Sequence, residues 1–127
     1  MTADDLVRFW RKSAGEDLRV AEDNLKLCHN NWSLFFFQLV LEKTLKSLIV
    51  KRKDKSPLPI HDLVKLATEA GIELSLEQKE DFKEITSFNI EARYDDIKLS
   101  FYKKATKEYT KIWSKKCQEY YLWLEKM

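Results

Sequence analysis

The sequence predicts an all-α protein, an up-and-down bundle of four main helices plus one short helix. Only two Gly and two Pro punctuate 127 residues, apolar side chains recur at three- and four-residue steps over long stretches, and 35% of the residues are charged. Few turn residues and charged outer faces belong to long amphipathic helices. The length fits a single domain over residues 1–127. A hydrophobic content of 44%, with 16 aromatic side chains (4 Trp, 5 Tyr, 7 Phe), supplies enough apolar surface for a core.

The first helix runs from Thr2 to about Cys28, because Val7, Trp10, Ala14, Leu18, Ala21, Leu25 and Cys28 form one stripe. Thr2 with Asp5 three residues on is an N-cap pattern, and His29-Asn30-Asn31 supplies the stop. A second helix spans about Ser33 to Arg52. It carries Leu34, Phe37, Leu41, Leu45 and Leu48 on one face, and Phe35, Phe36, Leu39 and Val40 over much of the rest. Such a wide apolar arc requires burial on several sides, either centrally in the bundle or against a second subunit.

Pro57 and Pro59 forbid continued helix and mark the main loop. A short helix follows from His61 or Asp62 to Ala70, closed by Gly71 in the left-handed position. Ser75 and Gln78 form a capping-box pattern that opens the next helix, with Phe82, Ile85 and the Phe88 to Ile90 stretch turned inward. Residues 91–96 read as its frayed end and a connection, since consecutive aspartates cap a following helix better than they fill one. The last helix is expected from about Leu99 to Glu125, with Phe101, Ala105, Tyr109, Trp113, Cys117, Tyr120 and Leu124 at helical spacing.

Several chemistries are excluded. Gly15 and Gly71 are too few and too far apart for a dinucleotide-binding or phosphate-cradling glycine loop. Cys28 and Cys117 form no paired motif, which points to a reducing cytoplasm and neither a zinc nor a disulfide framework. The adjacent Cys28 and His29 project differently at a helix end, so a core cysteine beside a solvated histidine is the expectation and no metal site is assigned. The longest uncharged run, residues 30–41, is too short to span a bilayer. No serine has a context that marks a nucleophile, and no cofactor or catalytic residue is assigned.

Charge is balanced overall at +2 but unevenly spread. Residues 100–127 hold seven Lys against three Glu, while residues 76–99 hold seven acids against four bases. Lys104, Lys107, Lys111 and Lys115 therefore read as a solvated face opposite an acidic neighbour, with an RNA or phosphate surface as the alternative. The segment Arg93-Tyr94-Asp95-Asp96 sits at an interhelical corner, where Arg93 either pairs with the carboxylates or offers its planar fork to phosphate. His61, at a helix start, either caps and packs there or contacts a ligand.

The order of four segments resembles a known family. They are Trp10…Ala14…Asp17-Leu18…Ala21, Phe36-Phe37-Gln38…Leu41-Glu42-Lys43…Leu45-Lys46-Ser47-Leu48, Pro59…His61-Asp62-Leu63…Leu66, and Ala92-Arg93-Tyr94-Asp95-Asp96. Together they resemble the HEPN domain (higher eukaryotes and prokaryotes nucleotide-binding), with Glu42-Lys43, His61-Asp62-Leu63 and Arg93-Tyr94 carrying the likeness. The resemblance implies a bundle of four or five helices, usually a homodimer. It also implies a neighbouring minimal nucleotidyltransferase as partner in a toxin–antitoxin or related two-component system.

Many members of that family are RNases whose signature is an Arg, four to six residues, then a His, often followed two residues later by a Tyr that the partner modifies with AMP. Here Arg93 is followed after six residues by Ser100, then by Phe101 and Tyr102. Serine does not titrate near neutrality as imidazole does, so the departure points to a non-catalytic or weakened member. The resemblance then implies a nucleotide or partner site formed by Arg93 as phosphate clamp and Tyr94 as stacking ring, with Lys43 and His61 approaching from the second and third helices. Tyr102 is the modification site it implies. The alternatives are an RNase toxin that uses Arg93 with an atypical base, and a purely structural interaction module.

Overall fold

The computed structural model describes residues 1–93 and 95–127, apart from the side chains of Asp95, Asp96 and Lys98. Six helices occur among these residues: α1 (Ala3–Lys26), α2 (Asn30–Lys53), α3 (Leu63–Glu69), α4 (Leu76–Glu91), α5 (Asp95–Lys104) and α6 (Lys107–Glu125). No strand occurs among the described residues.

Helix starts follow local chemistry. Thr2 and Asp5 form a reciprocal capping box at α1, and Ser75 and Gln78 form another at α4. Asp62 accepts from the Lys65 amide at α3, and Thr106 accepts from the Tyr109 amide at α6. At the end of α3, Gly71 takes a φ of 75°, the left-handed conformation that glycine adopts without a Cβ penalty.

The wide apolar arc of α2 is buried by the chain itself. Helix α2 packs against α1, α3, α4, α5 and α6, which makes it the central element. Leu34, Phe37, Leu41, Leu45, Leu48 and Ile49 are all within 1% of complete burial. They meet Phe82, Ile85 and Phe88 of α4 and Cys117 and Leu124 of α6 in one continuous core. Ala14 and Ala21 of α1 are fully buried, and such small side chains let two helix backbones approach closely.

Three expectations are corrected. The C-terminal segment is two helices rather than one, broken at Ala105 and Thr106. Asn30 of α2 donates from Nδ2 to the Ala105 carbonyl at 3.1 Å, satisfying an acceptor at the end of α5, while Thr106 caps α6. The apolar period runs through the break because Phe101, Ala105 and Tyr109 all still face the core. Cys28 is exposed, not in the core, because the chain turns there with a φ of 61°. Ile90 is 46% exposed, whereas Phe88 two residues earlier is fully buried.

Candidate functional site

A chain of buried polar side chains runs between α2, the start of α3 and α4. Gln38 and Glu42 lie one turn apart on α2, so both project toward the same neighbours. Glu42 Oε2 accepts from Lys46 Nζ at 3.1 Å, and its Oε1 lies 2.8 Å from His61 Nδ1. Gln38 Nε2 donates to the His61 carbonyl at 3.0 Å and to Glu42 Oε1 at 3.2 Å. Its Oε1 accepts from Asn89 Nδ2 at 2.8 Å. The Asn89 carbonyl in turn accepts from Arg93 Nε at 3.2 Å.

Burial grades along this chain. Gln38, Glu42, Lys46 and Asn89 are buried, whereas Arg93 is exposed and the His61 side chain is 45% exposed. An ion pair as buried as Glu42–Lys46 stands only when hydrogen bonds satisfy the remaining lone pairs and protons, which Gln38 and His61 do for the carboxylate. Lys46 also lies over the Trp10 ring at 5.2 Å, which ties α1 to the same cluster. The interior is a hydrogen-bonded polar frame, with a guanidinium and an imidazole at its surface ends.

The sequence-predicted residues divide accordingly. Arg93 and His61 both attach to the Gln38–Asn89 link. Lys43 lies on the α1 side of α2, where its ammonium is 2.6 Å from Asp17 Oδ2 and donates to Ser13 Oγ at 2.8 Å. Tyr94 lies outside the described residues. Tyr102 is 66% exposed on α5, and Ser100 is exposed on the same helix. Sequence reasoning missed Gln38, Asn89 and Lys46, whose signal was polar side chains falling on otherwise apolar helix faces.

The lysine-rich C-terminal segment meets its acidic neighbour in part. Lys104 reaches Glu84 at 3.1 Å and Lys116 reaches Asp81 at 3.1 Å, while Lys107, Lys111 and Lys115 are exposed. Tyr109 and Tyr120 donate their hydroxyls to Glu84 and Asp81. Burial, and then these carboxylate acceptors, push both phenols well above their ordinary range. Burial likewise raises the Glu91 carboxyl, with the Lys104 ammonium opposing it.

A cavity of about 550 Å³ is lined by Thr68, Gly71, Ile72, Glu73, Leu74 and Lys79 at the α3–α4 connection. No cluster of three or more His, Cys, Asp or Glu able to hold a metal occurs among the described residues. No helix among them is long and apolar enough to cross a membrane.

Comparison with curated proteins and with solved structures returns no match. The family model of the HEPN domain matches residues 7–127, nearly the whole chain. The polar cluster and the Arg93 corner both fall inside that span, and the chain belongs to the HEPN domain family.

Proposed function

We propose that the domain binds the phosphate of a nucleotide, or of a nucleotide-bearing partner, at the corner around Arg93. The observation that carries this reading is the state of Arg93. Its Nε donates to the Asn89 carbonyl while the residue as a whole is exposed, so the guanidinium is anchored at one nitrogen and reaches the surface. Membership of a nucleotide-binding and RNase-type family supports the same assignment. His61 joins Arg93 at this corner and Tyr94 supplies a stacking ring, whereas Lys43 serves the α1–α2 packing.

The partner is a minimal nucleotidyltransferase, in a two-component, toxin–antitoxin-like system in the cytoplasm. Tyr102 is its acceptor for AMP: the phenol oxygen attacks the α-phosphate of ATP and pyrophosphate leaves, a reaction the partner catalyses. Its 66% exposure and its place nine residues after Arg93 support this. The domain acts as a homodimer, which static light scattering tests by mass.

Two measurements test the reading. Arg93→Ala is expected to abolish ATP binding in isothermal titration without changing the circular dichroism spectrum. Co-expression with the nucleotidyltransferase is expected to give a complex whose HEPN subunit gains the mass of AMP, with the gain lost in Tyr102→Phe. Unaltered affinity in Arg93→Ala overturns the phosphate site.

A further inference from the structure

Three lysines of α6 stand apart from their neighbours. Lys104 and Lys116 are engaged by the acidic side of α4, where they meet Glu84 and Asp81 at 3.1 Å. Those two carboxylates also accept from Tyr109 and Tyr120. Lys107, Lys111 and Lys115 are exposed, and their ammonium groups have no ion pair or hydrogen bond among the described residues. Set at four-residue steps, they form one row with about 6 Å of helix rise from each to the next. The row carries uncompensated positive charge at a fixed repeat.

The same face continues past the row. Gln118 and Leu122 follow Lys115 by three and seven residues, which keeps them on its side of the helix. Leu122 is 59% exposed, and with Leu18, Glu22, Gln118 and Tyr121 it lines a cavity of about 300 Å³ between α6 and α1. Two leucines and a tyrosine ring give this cavity apolar walls. A ligand that covers the whole face brings negative charge at the repeat of the row and, two helical turns further on, an apolar group.

An α-helix with carboxylates four residues apart has that repeat, and a large apolar side chain seven positions later reaches the cavity. Nucleic acid matches the face less well. Tyr109, Trp113 and Tyr120 pack against the core, so none of these rings stands beside the row to stack on bases. The row has no Arg to offer phosphate a planar fork, and a phosphodiester chain has no apolar group for the cavity. We infer that this face of α6, with the adjoining edge of α1, docks an acidic amphipathic helix of a partner protein. Its carboxylates lie along Lys107, Lys111 and Lys115, and one apolar anchor enters the cavity beside Leu122. The docked helix runs parallel to α6, which puts its acids in its N-terminal half, where the helix dipole favours them. The inference does not depend on the phosphate reading of Arg93.

The probe is a fluorescein-labelled, helix-forming peptide with three Glu at four-residue steps and a Leu seven residues after the last, titrated by fluorescence anisotropy. Its control has the same composition in scrambled order. The parent chain is expected to bind the probe at least about tenfold tighter than the control, and to lose at least about threefold in affinity as salt rises from about 0.05 to about 0.3 M. Lys111→Glu should weaken binding at least about tenfold, because a repulsive charge then stands in the row. Leu122→Ser should also weaken it, and replacing the probe's Leu with Ser should cost that variant nothing further, which places the two side chains in contact. Both substitutions fall at exposed positions, and circular dichroism spectra matching the parent show that the variants are folded. No binding by the parent chain, equal binding of the scrambled control, or undiminished binding by either variant overturns the inference. Displacement of the probe by an equal concentration of single-stranded RNA also overturns it, by assigning the row to nucleic acid.

Discussion

Asn89 on α4 donates from Nδ2 to Oε1 of Gln38 on α2 at 2.8 Å, and both side chains are buried to within 1%. This bond is the side-chain link between the half of the polar cluster that holds His61 and the half that holds Arg93. Removing either partner leaves a buried amide without its mate, so the cost is that of the orphaned group rather than of an average hydrogen bond.

Asn89→Ala is therefore expected to lower stability by about 1–3 kcal/mol in urea unfolding. The Arg93 Nε bond goes to the backbone of Asn89 and persists in the variant. An unchanged urea midpoint would show that Gln38 finds another donor.

Alkaline stability follows from two phenols. Burial is the largest cause that raises Tyr109 and Tyr120 above the ordinary value of 10.0, followed by their carboxylate partners Glu84 and Asp81. A folded-state pKa above the unfolded one means that these groups contribute stability fully below pH about 10, and that it is lost as the pH rises further. The parent chain should lose stability steeply above that pH. Tyr120→Phe should show a shallower fall, measured as Tm against pH from 9 to 11. An identical slope in parent and variant would place the alkaline loss elsewhere.

The two cysteines should separate by reactivity. Cys28 is exposed in a left-handed turn, whereas Cys117 is buried in the core, where desolvation drives its thiol pKa up. One thiol should react with Ellman's reagent in the native protein and two after denaturation. Cys28→Gly should raise stability by up to about 1 kcal/mol, since a non-glycine residue at positive φ carries a steric cost.

Much of this fold was legible because its helices obey local rules. The Thr2–Asp5 and Ser75–Gln78 boxes mark starts that sequence patterns identify directly, whereas α3 is capped by Asp62 and not by the neighbouring His61. The break after α5 was hidden because the apolar period runs through it, which masks the local Thr106 cap, and because the bond that satisfies the end of α5 is nonlocal. Asn30 reaches Ala105 across 75 residues, and the apolar period continues through the gap. At the site, Arg93 and His61 stood out by residue type. Gln38 and Asn89 did not, since their meaning comes from facing each other across α2 and α4.

That break yields its own prediction. Thr106 Oγ1 accepts from the Tyr109 amide at 3.2 Å, so Thr106→Ala should cost about 1 kcal/mol and speed amide exchange in the first turn of α6. Unaltered exchange there would mean that packing of Tyr109 and Trp113, not the cap, holds the helix start.

Lys43 and Arg93 test whether the corner is read correctly, because the sequence placed both at one site and the structure gives them different company. Lys43 is 2.6 Å from Asp17 in a partly buried pair, with side chains 21% and 15% exposed. Replacing it leaves the Asp17 carboxylate between α1 and α2 without its cation. Lys43→Met should therefore destabilise the protein by about 1–3 kcal/mol while nucleotide affinity stays within about twofold. Arg93 is exposed and, among the described residues, its hydrogen bond goes to a backbone carbonyl, so Arg93→Ala should leave Tm nearly unchanged and remove nucleotide binding. The pair of variants is compared by thermal unfolding and by ATP titration on the same preparations. Loss of ATP binding in Lys43→Met at a temperature where it is fully folded would move the site toward the α1–α2 face and away from α4.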